Sequence, residues 1–400
     1  MITWLRVAEP AASSPASGGG RGVEQPTTAL INRTFVSNLA LAEATGSDMQ
    51  AITVDRFLES LRPTQEQRRI FLIALELPEG ALPEGLPRDP CGFSTVPSTG
   101  DDPVWLLEHE ALAYLVISVP LLQDTSSLWW QVDLDAEFLP LPGERYSPEA
   151  ERILDSALGV LDEVAAALHR THLYLWNTVG AHCPVEEAPL PAFLASRGCH
   201  AVHREAQYSI EVERGNHAPE APDIEAKGVS LILYTEDGCP EHALPALCQL
   251  SDTAEWDIPA GDIQLEPSPW TPERIRDAER IARAGGHRSI SALLIDEDGA
   301  GVALSTIAQH RSARPEIAEQ NMTVVARNYR GRGLGAVVKK AALAEAARRW
   351  PRLRRVGTSV AVENAAMNRI NESIGMQKIS QASAWLKQAP LRTDGELGRA

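Results

Sequence analysis

Apolar and polar positions recur with two different periods along the 400-residue chain, and those periods divide it into elements. A helical pattern opens near residue 29 and runs to about Glu59. Apolar runs of strand length follow at RRIFLIALEL (68–77), ALAYLVISVPL (111–121) and SLWWQVDLD (127–135). The Pro- and Gly-rich LPEGALPEGLPRDPCG between the first two predicts an exposed loop. From Ser147 to His169 the pattern returns to a helix. Ser147 stands at the N-cap and Pro148 in the first turn, acids follow, and Leu154, Leu158, Leu161, Val164 and Leu168 share one face. The strand LYLWNTV, a short helix at Ala192 to Ser196 and the strand HAVHREAQYSIEV complete the first half.

The second half repeats the plan. VSLILY predicts a strand, and WTPERIRDAERIARAGG a helix capped by Thr271 with Pro272 at its first position. RSISALLIDEDGAGVALSTIAQH predicts a hairpin turning at Asp298-Gly299. NMTVVA is a strand, LGAVVKKAALAEAARRW a helix, RVGTSVA a strand and NAAMNRINESIG a helix, and KISQASAWLK closes the order. Each half thus reads strand, strand, strand, helix, strand, helix, strand, a duplication of architecture rather than of letters. Hairpins followed by strand–helix–strand units predict an α+β or mixed α/β layer fold in two tandem domains. Each is a mixed, mostly antiparallel sheet flanked by helices. Residues 11–28 are rich in Ala, Ser, Gly and Pro, and RGNHAPEAPDIEAK is polar with two prolines. The expected division is a flexible segment 1–28, a domain 29–213, a linker 214–227, a domain 228–390 and a tail 391–400.

Composition narrows the function classes. The net charge of -17 argues against phosphate-backbone binding, hence against nucleic acid, and fits a cationic or amine-bearing partner. Five scattered cysteines without a CxxC pair suggest neither a disulfide framework nor a zinc site, and point to a reducing compartment. No segment approaches the ~20 apolar residues of a membrane span, and the N-terminus carries no apolar run of signal-peptide length. A cytoplasmic protein without a membrane role is expected.

The chemistry concentrates in NYRGRGLGAVVKK, residues 328–340. Such a strand-to-helix glycine loop presents backbone N–H groups and the positive end of a helix to an anion. A Walker A loop needs G-x-x-x-x-G-K-[ST], which is absent. Gly331, Gly333 and Ala336 satisfy G-x-G-x-x-A on paper, but the acid expected ~20 residues on for a dinucleotide is replaced by the basic RRWPRLRR. A coenzyme A pyrophosphate is the third class. The spacing R-G-x-G-x-G, Arg330 to Gly335, resembles the Q/R-x-x-G-x-G/A signature of the GCN5-related N-acetyltransferase (GNAT) family. Upstream, TVVARNY looks like the strand that approaches that loop. Downstream, GTSVAVENAAMNRINESIGM is similar to the family's next strand and helix, of form N-x-x-A-x-x-L-Y-x-x-L-G-F. Asn364, Met367, Ile370, Ile374, Gly375 and Met376 fill that frame. Gln320, Thr323, Arg330, Gly331, Leu334, Gly335 and Lys339 further resemble a tandem-domain actinobacterial subgroup, with Tyr329 and Arg332 where that subgroup often has histidines.

The resemblance covers roughly residues 229–387 and implies an acyl-CoA-dependent N-acetyltransferase in which an amine of a small molecule attacks acetyl-CoA directly. It assigns the coenzyme to Val324, Val325, Ala326, Arg330, Gly331, Arg332, Gly333, Leu334, Gly335, Asn364 and Met367. A splayed gap beside the fourth strand is expected to leave backbone N–H groups free for the thioester carbonyl. Glu319 is the expected base, acting through water, with Glu316 and His310 as alternatives. The acid departs from the family: its tyrosine position holds Asn371, an amide that donates a hydrogen bond but delivers no proton. The acceptor is expected near Asp252, Glu255, Asp257, Asp262, Trp256 and Trp270, acids and aromatics suited to a cationic amine. The rival readings are a non-catalytic acyl-CoA-binding regulator and a protein or peptide N-acetyltransferase. In the first half the matching loop is LPLPGERYSPEA, where one glycine, Gly143, and the prolines 140, 142 and 148 cannot make the same series of donors. That half resembles a degenerate copy, serving as scaffold, substrate wall or homodimer surface.

Overall fold

The computed structural model describes residues 1–10, 25–141, 143–212, 228–310 and 313–390. The expected linker 214–227, the tail 391–400 and most of the lead-in 1–28 lie outside the described residues. The chain forms two compact units. The first comprises 1–203, 262–265 and 382–400, the second 204–261 and 266–381. Among the described residues no helix is long and apolar enough to cross a membrane.

In the first unit β1 (Ile2–Val7), β2 (Gln67–Glu76), β3 (Thr95–Val96), β4 (Ala111–Pro120), β5 (Ser127–Leu134) and β6 (His172–Gly180) lie in the order β3-β1-β2-β4-β5-β6. Pairing is antiparallel except between β1 and β3 and between β5 and β6. The apolar run in β2 is unbroken because both faces of the sheet are covered. Ile70, Leu72 and Ala74 pack with α4 (Pro148–Ala167) and α5 (Pro189–Ser196). Phe71, Ile73 and Leu75 pack with α1 (Thr28–Thr45), α2 (Val54–Ser60) and the short α3 (Val104–Leu107). The helical pattern read as continuous from 29 to 59 is therefore two helices. The break comes at Gly46, whose φ of 68° ends α1 in the left-handed region. The strand β1 escaped the sequence reading: six residues ahead of a low-complexity stretch carry too little period. Arg33 on α1 reaches Asp133 on β5 at 3.1 Å, an ion pair buried on both sides.

In the second unit the strands are β7 (His200–Glu211, from Arg204 on), β8 (Val229–Thr235), β9 (Arg288–Asp296), β10 (Gly301–Gln309), β11 (Ile317–Val325), β12 (Arg355–Ala361) and the first residues of β13 (Gln377–Gln388). Their order is β13-β7-β12-β11-β10-β9-β8. Only β11 and β12 pair in parallel among the registers described. Leu293, Leu304 and Val324 face α6 (Leu244–Asp257) and α7 (Pro272–Ala284). Ala303, Ile307 and Ala318 face α8 (Leu334–Arg349), which in turn packs on α9 (Ala365–Ser373). The segment β7, encoded in the first half, pairs with β12 from Glu205↔Ala361 to Glu211↔Arg355.

The hairpin β9–β10 turns where the sequence placed it, with Gly299 at φ 80°. At the start of β10, Gly301 is required by contact rather than by turn geometry. A Cβ there would lie 2.6 Å from Ala246 O and 2.8 Å from Leu250 Cγ on α6. Gly301→Ala is expected to push α6 off the sheet and lower stability by about 1–3 kcal/mol, read as a reduced thermal midpoint.

Candidate functional site

The parallel ladder between β11 and β12 is short. It runs Ile317↔Arg355, Ala318↔Val356, Glu319↔Gly357 and then stops, although both strands continue. Past this point Thr358 Oγ1 donates to Gln320 O at 2.9 Å, a side chain replacing the next ladder bond. A register shift between Thr306 and Ile307, opposite Met322 and Gln320, puts a bulge in β11 at the same level. Bulges add twist and turn a strand away from its neighbour. The result is the splayed gap expected from the sequence, bounded by the far halves of β11 and β12.

The glycine loop closes one end of that gap. After a single 3-10 turn at Arg327–Tyr329, Gly331 takes φ 78° and Gly333 φ 74°, both left-handed. Gly333 is the N-cap of α8, and no side chain caps the helix there. The first N–H groups of α8 therefore lack a partner from the helix itself, the arrangement that binds anions. A Cβ on Gly331 would meet open space, so backbone conformation, not crowding, demands glycine there. Gly335 has the opposite reason: a Cβ would lie 2.8 Å from Ile370 Cδ1 and 3.4 Å from Val325 Cγ2. It lets α8 approach both β11 and α9. The first unit differs at the corresponding helix. There Ser147 Oγ accepts from Ala150 N at 3.2 Å and closes the N-terminus of α4.

The two loop arginines are committed within the protein. Arg330 Nε donates to Val325 O at 3.1 Å, and its guanidinium pairs with Asp257. Arg327 donates to the same carboxylate through Nε at 3.0 and 3.2 Å. The Arg327 hydrogen bond, with Arg330 adding to it, holds the Asp257 carboxyl down at about 2. Arg332 donates to Asn328 O at 3.1 Å and lies over the Tyr329 ring at 4.9 Å. Tyr329 OH donates to Asp296 Oδ2 at 2.7 Å and ties the loop to the β9–β10 turn. Val324 and Ala326 are buried, Val325 half-buried. Asn364 caps α9, its Oδ1 accepting from Met367 N at 3.1 Å.

Glu319 is the last residue of the short ladder and is exposed on the face opposite Ala318 and Gln320. The two alternatives are otherwise engaged: Glu316 pairs with Arg352 at 2.7 Å, and His310 packs edge-on against His287 at 4.3 Å. Asn371 is fully buried on α9, and its Oδ1 accepts from Lys339 Nζ at 2.7 Å.

The expected acceptor residues lie mostly on a helix. Asp252, Glu255, Trp256 and Asp257 lie on α6, a helix missed because its polar C-terminal turn hid the apolar face. Asp252 Oδ1 accepts from Trp270 N at 2.8 Å and Glu255 Oε2 from Trp270 Nε1 at 3.2 Å. These acids hold the protein's own groups. Asp262 belongs to the first unit, where its N–H donates to Val202 O. Trp256, 69 % exposed, lines an open cavity of about 730 Å³ with Asp252, Asp296, Arg327 and Tyr329.

Sequence reasoning missed one contributor and the burial of another. Tyr208 on β7 donates to Asn368 Oδ1 on α9 at 2.9 Å, a contact no local signal foretells. Lys339 was placed by motif alone; the signal of its burial was its position among Val337, Val338, Ala341 and Ala342.

No curated protein matches the sequence. Residues 254–376 match the family model "Acetyltransferase (GNAT) family". Among solved structures, the chain is similar to a tandem GNAT protein from the clavulanic acid biosynthesis pathway. That match has a TM-score of 0.65 at 18 % identity, over 98 % of this chain and 100 % of the other. It is also similar to a GCN5-related N-acetyltransferase from Sphaerobacter thermophilus, with TM-score 0.56 at 14 % identity, over 93 % and 97 %. At these identities the likeness speaks for the fold. The chain thus shares the fold of a tandem GNAT protein, and the part of its second unit that holds loop, gap and α9 matches the acetyltransferase family's model.

Proposed function

We propose that the second unit transfers an acyl group, acetyl in the first instance, from coenzyme A to an amine of a small molecule by direct attack. The observation that carries this reading is the early end of the β11–β12 ladder beside an uncapped, left-handed helix start at Gly333. The residues fit an acyl-coenzyme A. Gly331, Gly333 and the free N–H groups of Leu334, Gly335 and Ala336 would hold the pyrophosphate. Val324, Val325 and Ala326 offer a strand edge to the extended arm. Asn364 and Met367 flank it at the start of α9. Arg330 fixes the loop through Asp257 and Val325 O, and Arg332 supplies positive charge from its surface. The coenzyme supplies an activated thioester and a thiol leaving group. The chain's part is to place the thioester in the gap, take a proton from the amine and stabilise the leaving sulfur.

Glu319, at the mouth of the gap, is the base in this reading, and acts through water because its side chain stands at the exposed face. The first unit, with a serine-capped α4 and no series of left-handed glycines at that helix, is proposed as scaffold rather than a second active site.

The test is thiol release from acetyl-CoA across a panel of small amines and peptides. Turnover with small amines supports the reading. Tight binding without turnover on any amine would reduce the protein to a coenzyme binder, and turnover on peptides alone would move the acceptor to proteins. Glu319→Gln is expected to lower kcat by roughly 10²- to 10⁴-fold while leaving KM for acetyl-CoA unchanged.

A further inference from the structure

In and beside the layer between the sheet and α8 in the second unit lie four deeply buried polar side chains, in two hydrogen-bonded pairs. Ser305 is 0 % exposed, Gln320 2 %, Lys339 1 % and Asn371 0 %. Ser305 and Gln320 bond each other at 2.9 Å. Lys339 Nζ donates to Asn371 Oδ1 at 2.7 Å. Two polar atoms in this layer are buried without a partner: Gln320 Oε1 and Asn371 Nδ2. A buried donor left unmade costs about 1–3 kcal/mol, so such an orphan in a folded core calls for a ligand or a function.

The position of the group is fixed by Gly335. That glycine sits between Val325 on β11 and Ile370 on α9. Lys339 is one helical turn further on the same face of α8, and Asn371 is the residue after Ile370. Because α8 returns antiparallel to β11, Lys339 lies behind the part of β11 that has left β12. Gln320, whose carbonyl takes the last bridging bond from Thr358, marks the edge of that gap.

Burial lowers the Lys339 ammonium to about 7, and no charged neighbour adds to that shift. Its bonded partner Asn371 is neutral, as are Gln320 and Ser305 in the same layer; Glu372 is exposed and Lys340 half-buried on the adjoining turns. An ammonium can only donate, so it must hold the oxygen end of the Asn371 amide. That leaves the Nδ2 end with its two protons unspent.

We propose that Lys339 is a positioning residue that locks the Asn371 amide with Nδ2 available to the β11–β12 gap, and that the pair stabilises a thiolate there in place of an acidic side chain. This rests on the coenzyme site proposed above. Acyl transfer breaks the carbon–sulfur bond and leaves its electron pair on sulfur. The amide N–H donates to that sulfur without giving up its proton; Lys339 behind it holds the amide oxygen in either protonation state and adds a positive charge only while protonated. Solvent protonates the thiol after release.

The test needs no acceptor. Coenzyme A bound to the full-length protein is titrated while its thiolate is followed by ultraviolet absorbance. The bound thiol is expected to ionise at least tenfold more readily than the free coenzyme, an apparent pKa lower by about one or more. In Lys339→Met and in Asn371→Leu it should return to the free value, with affinity for coenzyme A at pH 6 changed less than about threefold. A wild-type bound thiol that ionises no more readily than the free one overturns the proposal, whatever the variants do. So does a shift that survives both substitutions. Failure of the wild type to bind coenzyme A by calorimetry would instead refute the site on which the proposal rests.

Discussion

Gly333→Asp is expected to lower the affinity for coenzyme A by two orders of magnitude or more and to leave the fold intact. Two effects add. A carboxylate at the N-cap of α8 would stand where the proposed pyrophosphate sits, and a unit charge about 4 Å from another costs roughly 4 kcal/mol at an effective dielectric near 20. It would also compete for the very N–H groups the phosphates need. The cost to folding is small by comparison. The left-handed φ of 74° penalises a side chain by roughly 1–2 kcal/mol, and aspartate is among the residues that tolerate this region best. Gly333→Ala carries the conformational cost without the charge and serves as the control. Calorimetric titration with coenzyme A reads the outcome. Equal affinity in wild type and Gly333→Asp would remove the loop from the site.

Lys339→Met should stabilise the second unit, and the gain should depend on pH. The ammonium titrates near 7 in the folded protein against an ordinary 10.5. Below pH 7 lysine is protonated in both states, and the folded state carries the full cost of a buried charge, roughly 5 kcal/mol for a gap of that size. As pH rises from 7 toward 10.5 the unfolded state alone stays protonated, and the penalty declines. Above 10.5 it is gone. The difference in thermal midpoint between variant and wild type should therefore be largest at pH 6 and shrink toward pH 10. A methionine of similar length refills the space without a charge. A midpoint difference that is flat in pH, or negative at pH 6, would mean that Lys339 is not buried as described.

Local signals made most of the fold legible. The 3.6 period with Ser147 and Pro148 gave α4, and Asp298-Gly299 gave the hairpin, because each depends on neighbours in sequence. The glycine loop was legible for the same reason: Gly331 and Gly333 need left-handed backbone whatever surrounds them. Asn364 was read by its place in a motif, and its observed task, capping α9, is a local one too. What the sequence hid depends on distance. Asp252, Glu255 and Asp257 were read as an acidic lining, yet Trp270, Arg327 and Arg330 take them up across 15 to 73 positions. No periodicity reports that an acid has already found its cation. Lys339 was hidden by its letter, since lysine on a helix is ordinarily a solvated residue.

One further consequence comes from β7. The strand that flanks β12 is encoded some 150 positions earlier, so the second unit begins at Arg204, ahead of the expected linker, and not at 228. A reading frame opened at 228 would encode the glycine loop, the gap and α9, but not the strand on which β12 rests or the tyrosine that holds Asn368. A fragment meant to carry the second unit therefore has to be cut ahead of Arg204, not at the linker.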